Sequence, residues 1–397
     1  MRATNSTRPL HFAMIGTRGV PAAYGGFETA VEEIGKRLVL HGHRVTVYCR
    51  RTSSDSRREH LGMELVHLPA LRLKTVETLS HTALSVGHVA LTPKPDVALV
   101  FNAANAPFVP WLRALRIPAA VHVDGLEWMR DKWKGAGRRY YRFAEKVAVR
   151  WADALIADAQ GIAAYYDERF GVPTELLSYG AKILHEAPAD RLAELGLQSK
   201  RFHLVVARFE PENHVDLILE GYTRSAASYP LVVVGSAPYA AAYTTKVAAI
   251  AAADSRIRLL GGLWDQVQLD QLYAHALTYA HGHSVGGTNP SLLRAMGGGT
   301  SVLAFDVGFN REVVGREGSF FGSSGVLRQQ FDSAESDLQS HVLLGLRLQQ
   351  RAQQMYNWDD VTLGYEELGT RLASGYSIHK TTPRYTPDNS RNVARLP

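Results

Sequence analysis

The sequence predicts an α/β protein of two successive doubly wound domains with a cleft between them. Three observations carry this. Short apolar segments recur along the chain and alternate with segments of helical spacing. Many of the apolar segments run directly into glycine, histidine, arginine or acidic residues, where open parallel sheets hold their ligands. The length, 397 residues, suits two domains of ordinary size. The domains are placed at 1–188 and 189–375, with 376–397 as a disordered tail.

Residues 11–16, HFAMIG, read as a buried strand, followed by a glycine-rich loop over 16–28. Residues 29–40 have helical spacing and 44–49 form a second strand, so the opening is a βαβ unit. The loop glycines, GTRGVPAAYGG, lack the G-x-G-x-x-G spacing of a dinucleotide fingerprint, which argues against a nicotinamide-dependent oxidoreductase. The loop exceeds the roughly two to six residues usual between a strand and a helix. Long loops at strand ends carry function.

Residues 64–68 and 96–101 are further strands, and 119–128 begin as one. That last segment delivers His122, Asp124 and Glu127 at or past its end, beside Gly125. A histidine with two carboxylates and a glycine turn is a candidate functional group. Residues 130–150 follow as an amphipathic helix carrying Arg130, Lys132, Lys134, Arg138, Arg139, Arg142, Lys146 and Arg150 against Asp131 and Glu145. This stretch alone accounts for the net charge of +6. A solvated helix face is the ordinary explanation of a charge run. The interleaved Trp128, Trp133, Tyr140, Tyr141, Phe143 and Trp151 point instead to an anionic membrane interface. No nucleic-acid-binding motif accompanies the charge, so nucleic acid is not an expected partner.

Residues 154–157 form a strand leading to Asp158, 176–180 close the first half, and 185–200 are read as the linker. The second half starts with a strand at 202–207 that ends in Arg208-Phe-Glu-Pro-Glu-Asn213. A helix over 215–222 follows, then strands at 231–234 and 257–260 and a helix over 265–276. An apolar segment at 277–280 runs into HGHSVGGTNPSLLRAM, residues 281–296. There Gly286 and Gly287 let the backbone approach a ligand. Asn289 is suited to cap a helix and Pro290 to be its first residue. Helix N–H groups opening onto such a glycine turn are a site for phosphate or diphosphate. The next strand runs into 305–312, and a last helix over 359–373 is expected to pack back on the first domain.

Apolar residues make up 46% and charged residues 21%, a globular composition. The single cysteine, Cys49, rules out an internal disulfide framework and fits a reducing compartment. With no apolar run of about 18 residues and no signal-peptide core, the expected location is the cytoplasm.

Four segments of the second half resemble the nucleotide-sugar-dependent glycosyltransferases of the GT-B fold, retaining family 4. They are Arg208 to Asn213, 265–273, 281–296 and 306–312. The opening GTRGVPAAYGGFETAVEEIGKRLVLHGHRVTVYCR and the later VDGLEWMRDKW more narrowly resemble bacterial rhamnosyltransferases of capsule and exopolysaccharide assembly. The resemblance implies a donor such as dTDP-rhamnose on the second domain. Its diphosphate would lie against Arg208 and the amides near Gly287 and Thr288, among Asn213, His283, Ser284, Gly286, Asn289 and Arg294. It implies a lipid-linked glycan acceptor against the first domain, near Gly16, Arg18, Gly19, Tyr24, Gly25, Gly26, Glu28, Asp124 and Glu127. His122 would partner the transferred sugar, and with Arg208 it forms the catalytic set. The anomeric configuration would be retained by same-face attack, without metal or cofactor.

Many family members place a glutamate at each end of an E-x7-E pattern, and a lysine five residues after the phosphate arginine. Here Gly286, Arg294 and Asn213 stand in those positions. Gly286 and Asn213 agree with the narrower subgroup. Arg294 replaces a glutamate that accepts hydrogen bonds from ribose hydroxyls, and a guanidinium offers no acceptor. Three readings therefore stand side by side: an active transferase, a weak or inactive relative serving as a binding or assembly protein, and a nucleotide-sugar epimerase of the same architecture.

Overall fold

The computed structural model describes residues 8–22, 26–51, 57–71, 76–123, 125–130, 133–236 and 241–381. Tyr24, Gly25 and Asp124, expected on the acceptor side, lie outside the described residues, as do Asp131, Lys132 and 382–397.

The first domain is built on an eight-stranded sheet. Its strands are β1 (His11–Ile15), β2 (Arg44–Arg50), β3 (Glu59–His60), β4 (Met63–Leu68), β5 (Val97–Val100), β6 (Ala119–His122), β7 (Ala154–Ala157) and β8 (Glu175–Leu176). Their spatial order is β3-β4-β2-β1-β5-β6-β7-β8, parallel except for the β3–β4 pair. The second domain has six parallel strands: β9 (His203–Val206), β10 (Leu231–Val234), β11 (Ile257–Gly261), β12 (Thr278–His281), β13 (Ser301–Phe305) and β14 (Ser319–Phe321). Their order is β11-β10-β9-β12-β13-β14. Both domains are Rossmann-like. The inner strands read as near-continuous apolar runs because helices cover both faces of a parallel sheet, and β5, β6, β7 and β10 are buried along their whole length.

Each sheet has a point where the chain order reverses, between β1 and β5 in the first and between β9 and β12 in the second. Crevices outside the carboxyl ends of strands at such points hold ligands. Gly16 closes β1 at the first of them with φ +103, and a Cβ there would lie 2.3 Å from the Phe101 carbonyl oxygen. Arg208 follows β9, and the 281–289 loop follows β12, at the second.

Helix Gly26–Leu40 begins earlier than the spacing predicts, so Gly26 and Glu28 belong to its first turn and not to the loop. Helix Ala136–Trp151 begins later, and Arg130 and Lys134 precede it. The presumed linker is partly folded: helix Asp190–Glu194 buries Leu192, and Asp190 accepts from Gln271 Nε2 at 2.8 Å. Sequence periodicity does not reveal helices Glu77–Leu91, Ala241–Ala252, Ser324–Ser336 and Leu338–Met355. Helix Ala241–Ala252 buries only Val247 and Ala251, so its sequence shows no continuous apolar stripe to read.

Helix Trp358–Ala373 returns to the first domain. A Cβ on its Gly369 would lie 2.4 Å from the Phe12 ring of β1. Asp359 pairs with Arg37 at 2.6 Å, and Glu366 meets both His41 and His43. The expected tail begins too early: Ser377 and Ile378 are buried, and Ile378 N donates to Asp153 O ahead of the short helix Ile378–Thr381.

Candidate active site

A cleft of about 830 Å³ runs between the domains, and both switch points open into it. On the second-domain side Arg208 follows β9 directly. Its side chain is 40% exposed, with Glu210 at 3.6 Å. Asn213 fixes the turn behind it, donating from Nδ2 to Arg208 O at 2.8 Å. Asn213 Oδ1 can only accept, so it takes the Nδ1 proton of His283, 2.8 Å away. Burial, reinforced by the positive groups around it, holds the His283 ring well below its ordinary range. Ser284 donates to Glu212 O through its amide, at 2.9 Å, and its hydroxyl, at 3.1 Å. It ties two loops together and does not line the cleft.

Gly286, at φ +141, lies across the cleft from Gly125. Gly287 presses against the first domain, where an added Cβ would fall 2.0 Å from Asp158 Oδ1. Thr288 Oγ1 donates to Asp158 O at 2.7 Å, and on a parallel track Gln160 N donates to Glu312 at 2.9 and 3.1 Å. These contacts bring the two walls together. Asn289 caps helix Pro290–Gly297 by accepting from Ser291 N, with Pro290 as the first residue. The helix is therefore less open than the sequence suggests, since Pro290 has no N–H and Ser291 spends its own on the cap. The amides of Gly286, Gly287 and Thr288 meet no acceptor among the described residues.

Arg294 lines the cleft but is already engaged. Its Nε and Nη2 lie 2.8 and 2.6 Å from Asp270 Oδ1, Gln266 accepts twice more, and its charge sits 5.4 Å from the Tyr273 ring centroid. Lys182 holds the other Asp270 oxygen at 2.5 Å. Arg294→Glu is thus expected to set two carboxylates against each other. A loss of stability on the order of 3 kcal/mol should appear in chemical denaturation. An unchanged midpoint would show that Asp270 does not hold this residue.

On the first-domain side Arg18, Gly26, Glu28, Glu32, Glu33 and Glu127 line the cleft. Glu28 Oε1 accepts from Arg18 N at 3.1 Å, and burial raises its carboxyl. Gly26 meets Pro290 across the gap. Gly16 and Gly19, both with positive φ, support the loop from beneath and do not line the cleft. The sequence places Arg130 in a surface charge run. Arg130 turns inward instead, its Nε 3.1 Å from Glu127 Oε1, and it lines the cleft opposite Arg208. The local signal was its place three residues after Glu127 in a loop that follows a strand.

His122 sits one layer below the cleft, 2% exposed and outside its lining. Its ring stacks on Phe101 at 4.5 Å, and Nε2 lies 2.7 Å from the Tyr365 hydroxyl of the returning helix. Phe27, which does line the cleft, is its edge-on neighbour. Burial holds His122 and His281 down to about 3 and His81 to about 4, against an ordinary 6.5. Their contribution to stability is fully present above about pH 6.5. It is lost as pH falls, because the unfolded chain takes up protons that the fold refuses. Each histidine contributes on the order of 1 kcal/mol per pH unit in that window. Glu145, pushed up to about 7 by burial, works in the opposite sense and offsets one of them. The unfolding free energy is expected to drop by a few kcal/mol between pH 7.5 and 5; a flat profile would contradict this.

Residues 25–180 match the family described as Glycosyl transferase 4-like domain, and residues 191–353 match Glycosyl transferases group 1. No curated protein matches the chain. Among solved structures it is similar to a sucrose-phosphate synthase (tll1590) from Thermosynechococcus elongatus. That likeness has 19% identity and a TM-score of 0.80, over 92% of this chain and 99% of that one. It is similar to Anabaena Alr3699/HepE in complex with UDP, at 16% identity and a TM-score of 0.70, over 91% and 99%. It is also similar to Arabidopsis thaliana UGT89C1 complexed with UDP-L-rhamnose, at 12% identity and 0.60, over 93% and 100%. At such identities the likeness is one of fold.

Proposed function

We propose, for a chain that belongs to the GT-B glycosyltransferases with a 4-like first domain and a group 1 second domain, that it moves a hexose or deoxyhexose, rhamnose favoured, from a nucleotide-diphosphate sugar to a lipid-linked glycan during cell-surface polysaccharide synthesis. The observation that carries the proposal is the chemical asymmetry of the cleft. Its second-domain wall offers Arg208 and the bare amides of Gly286, Gly287 and Thr288, which suit a diphosphate. Its first-domain wall carries the carboxylates of Glu28, Glu32, Glu33 and Glu127, each held by a partner within that domain and suited to accept further hydrogen bonds from acceptor hydroxyls. Fixed donors aimed at the charge growing on the leaving diphosphate supply most of such a catalysis. Attack from the same face of the sugar retains its configuration, the departing phosphate taking the acceptor proton. HepE and UGT89C1 hold UDP and UDP-L-rhamnose in the same fold, which supports a nucleotide-sugar donor.

The test is a thermal-shift screen with dTDP-, UDP- and GDP-sugars, followed by turnover on lipid extracts and NMR of the product anomer. A stabilising donor and a retained product are expected. Binding without transfer would favour the weak or inactive relative, a reading motivated by Arg294 in its Asp270 pair. Sugar interconversion without acceptor would make the protein an epimerase.

We place the enzyme at the inner leaflet of the cytoplasmic membrane. Among the described residues no helix is long and apolar enough to cross a membrane. The outer face of helix Ala136–Trp151 is narrower than the sequence suggests. Trp128 donates to Glu145, Tyr140 donates to Ala104 O, and Tyr141 is buried, so these aromatics serve the fold. Arg139, Phe143, Lys146, Arg150 and Trp151 remain exposed. Replacing Arg139, Lys146 and Arg150 with Gln is expected to lower partition onto anionic vesicles about 100-fold, at about 1 kcal/mol per charge. Co-sedimentation indifferent to lipid charge would remove the membrane from the proposal.

A further inference from the structure

His281 ends β12 at the second sheet's switch point and lines the cleft. The residue is 4% exposed, and its Nε2 meets no hydrogen-bond partner among the described residues. Buried polar atoms in native folds nearly always have partners. A bare one on a cleft wall fits a partner that arrives with the ligand.

The neighbour sets the tautomer. Tyr279 Oη lies 3.2 Å from Val206 O and 3.2 Å from His281 Nδ1. A carbonyl only accepts, so the single Tyr279 proton goes to Val206, and Tyr279 Oη receives the Nδ1 proton of His281. Burial keeps the imidazole neutral, so it carries no second proton. Nε2 therefore carries an unshared lone pair, on a buried ring whose residue lines the cleft. Ionised phosphate oxygens also present lone pairs, so a neutral His281 pairs with an O–H donor rather than with the diphosphate.

We infer that His281 Nε2 is a donor-recognition atom, accepting a hydrogen bond from a hydroxyl of the bound nucleotide sugar. The hydroxyl belongs either to the pentose or to the transferred sugar. The inference rests on the glycosyltransferase reading and deepens it. Within the cleft it divides the work: Arg208 and the glycine-loop amides hold charge, and His281 reads a neutral group.

The experiment titrates wild type, His281→Phe and His281→Gln by calorimetry. The ligands are inorganic pyrophosphate, whichever of UDP, dTDP and GDP binds wild type best, and that nucleotide's sugar conjugate. His281→Phe should lose roughly tenfold in affinity for the conjugate while pyrophosphate binding stays unchanged. His281→Gln, which can turn an amide oxygen toward the cleft, should recover most of the loss. An equal loss for the free nucleotide assigns the pentose, and a loss confined to the conjugate assigns the transferred sugar. If pyrophosphate weakens in step, if no ligand weakens, or if Gln does no better than Phe, the inference is overturned. Wild type that binds pyrophosphate but no nucleotide overturns the nucleotide-sugar reading and this inference with it.

Discussion

Arg208→Ala is expected to weaken nucleoside-diphosphate binding by roughly 10- to 100-fold, the loss of one or more charge-assisted hydrogen bonds at about 1.5–3 kcal/mol each. Among Arg130, Lys182, Arg208 and Arg294 on the cleft wall, Arg208 has the loosest partner. Its 3.6 Å to Glu210 compares with 2.5 and 2.6 Å at Asp270 and 3.1 Å at Glu127. Of these groups it is therefore the one most ready to turn toward a ligand. Turnover should fall further than affinity, because negative charge on the leaving diphosphate grows in the transition state. Arg208→Lys should recover only part, keeping the charge but losing the planar fork. Calorimetry with UDP or dTDP and a steady-state assay check this together. Wild-type affinity and turnover in the alanine variant would remove Arg208 from the site.

Gly287→Ala is expected to lower kcat/KM by about 100-fold or more while leaving each domain folded. A Cβ at Gly287 would lie 2.0, 2.6 and 2.6 Å from the three carboxylate atoms of Asp158, itself buried in the opposite domain. Asp158 is also fixed through its carbonyl by Thr288. Relief requires the walls to separate, and a displacement of about 1 Å at a catalytic cleft can cost that much. The same alanine at Gly261, where nothing lies within 4 Å of the added carbon, should cost far less despite its φ of +69. Equal kinetics for Gly287→Ala and wild type would mean that the domains close in another way.

Much of the architecture was legible because its signals are local. Strands such as β10 announce themselves by an apolar run, and Asn289-Pro290 mark a helix start with residues whose cap and ring geometry act within a turn. Even the switch-point loops could be read, since a strand and the loop after it are neighbours in the chain. The partners of charged and buried groups were not legible, because tertiary packing chooses them. Arg294 meets Asp270 from 24 positions away, and His122 meets Tyr365 from 243. Arg130 shares a basic stretch with Arg139, yet one faces the cleft and the other solvent, since the helix begins only at Ala136 and the preceding turn re-aims the chain. Side-chain chemistry and the alternation of strand and helix were thus written in the sequence. Which charge is neutralised and which histidine is buried were decided when the two domains and the returning helix came together, because those energies depend on distance and desolvation, which the order of residues does not contain.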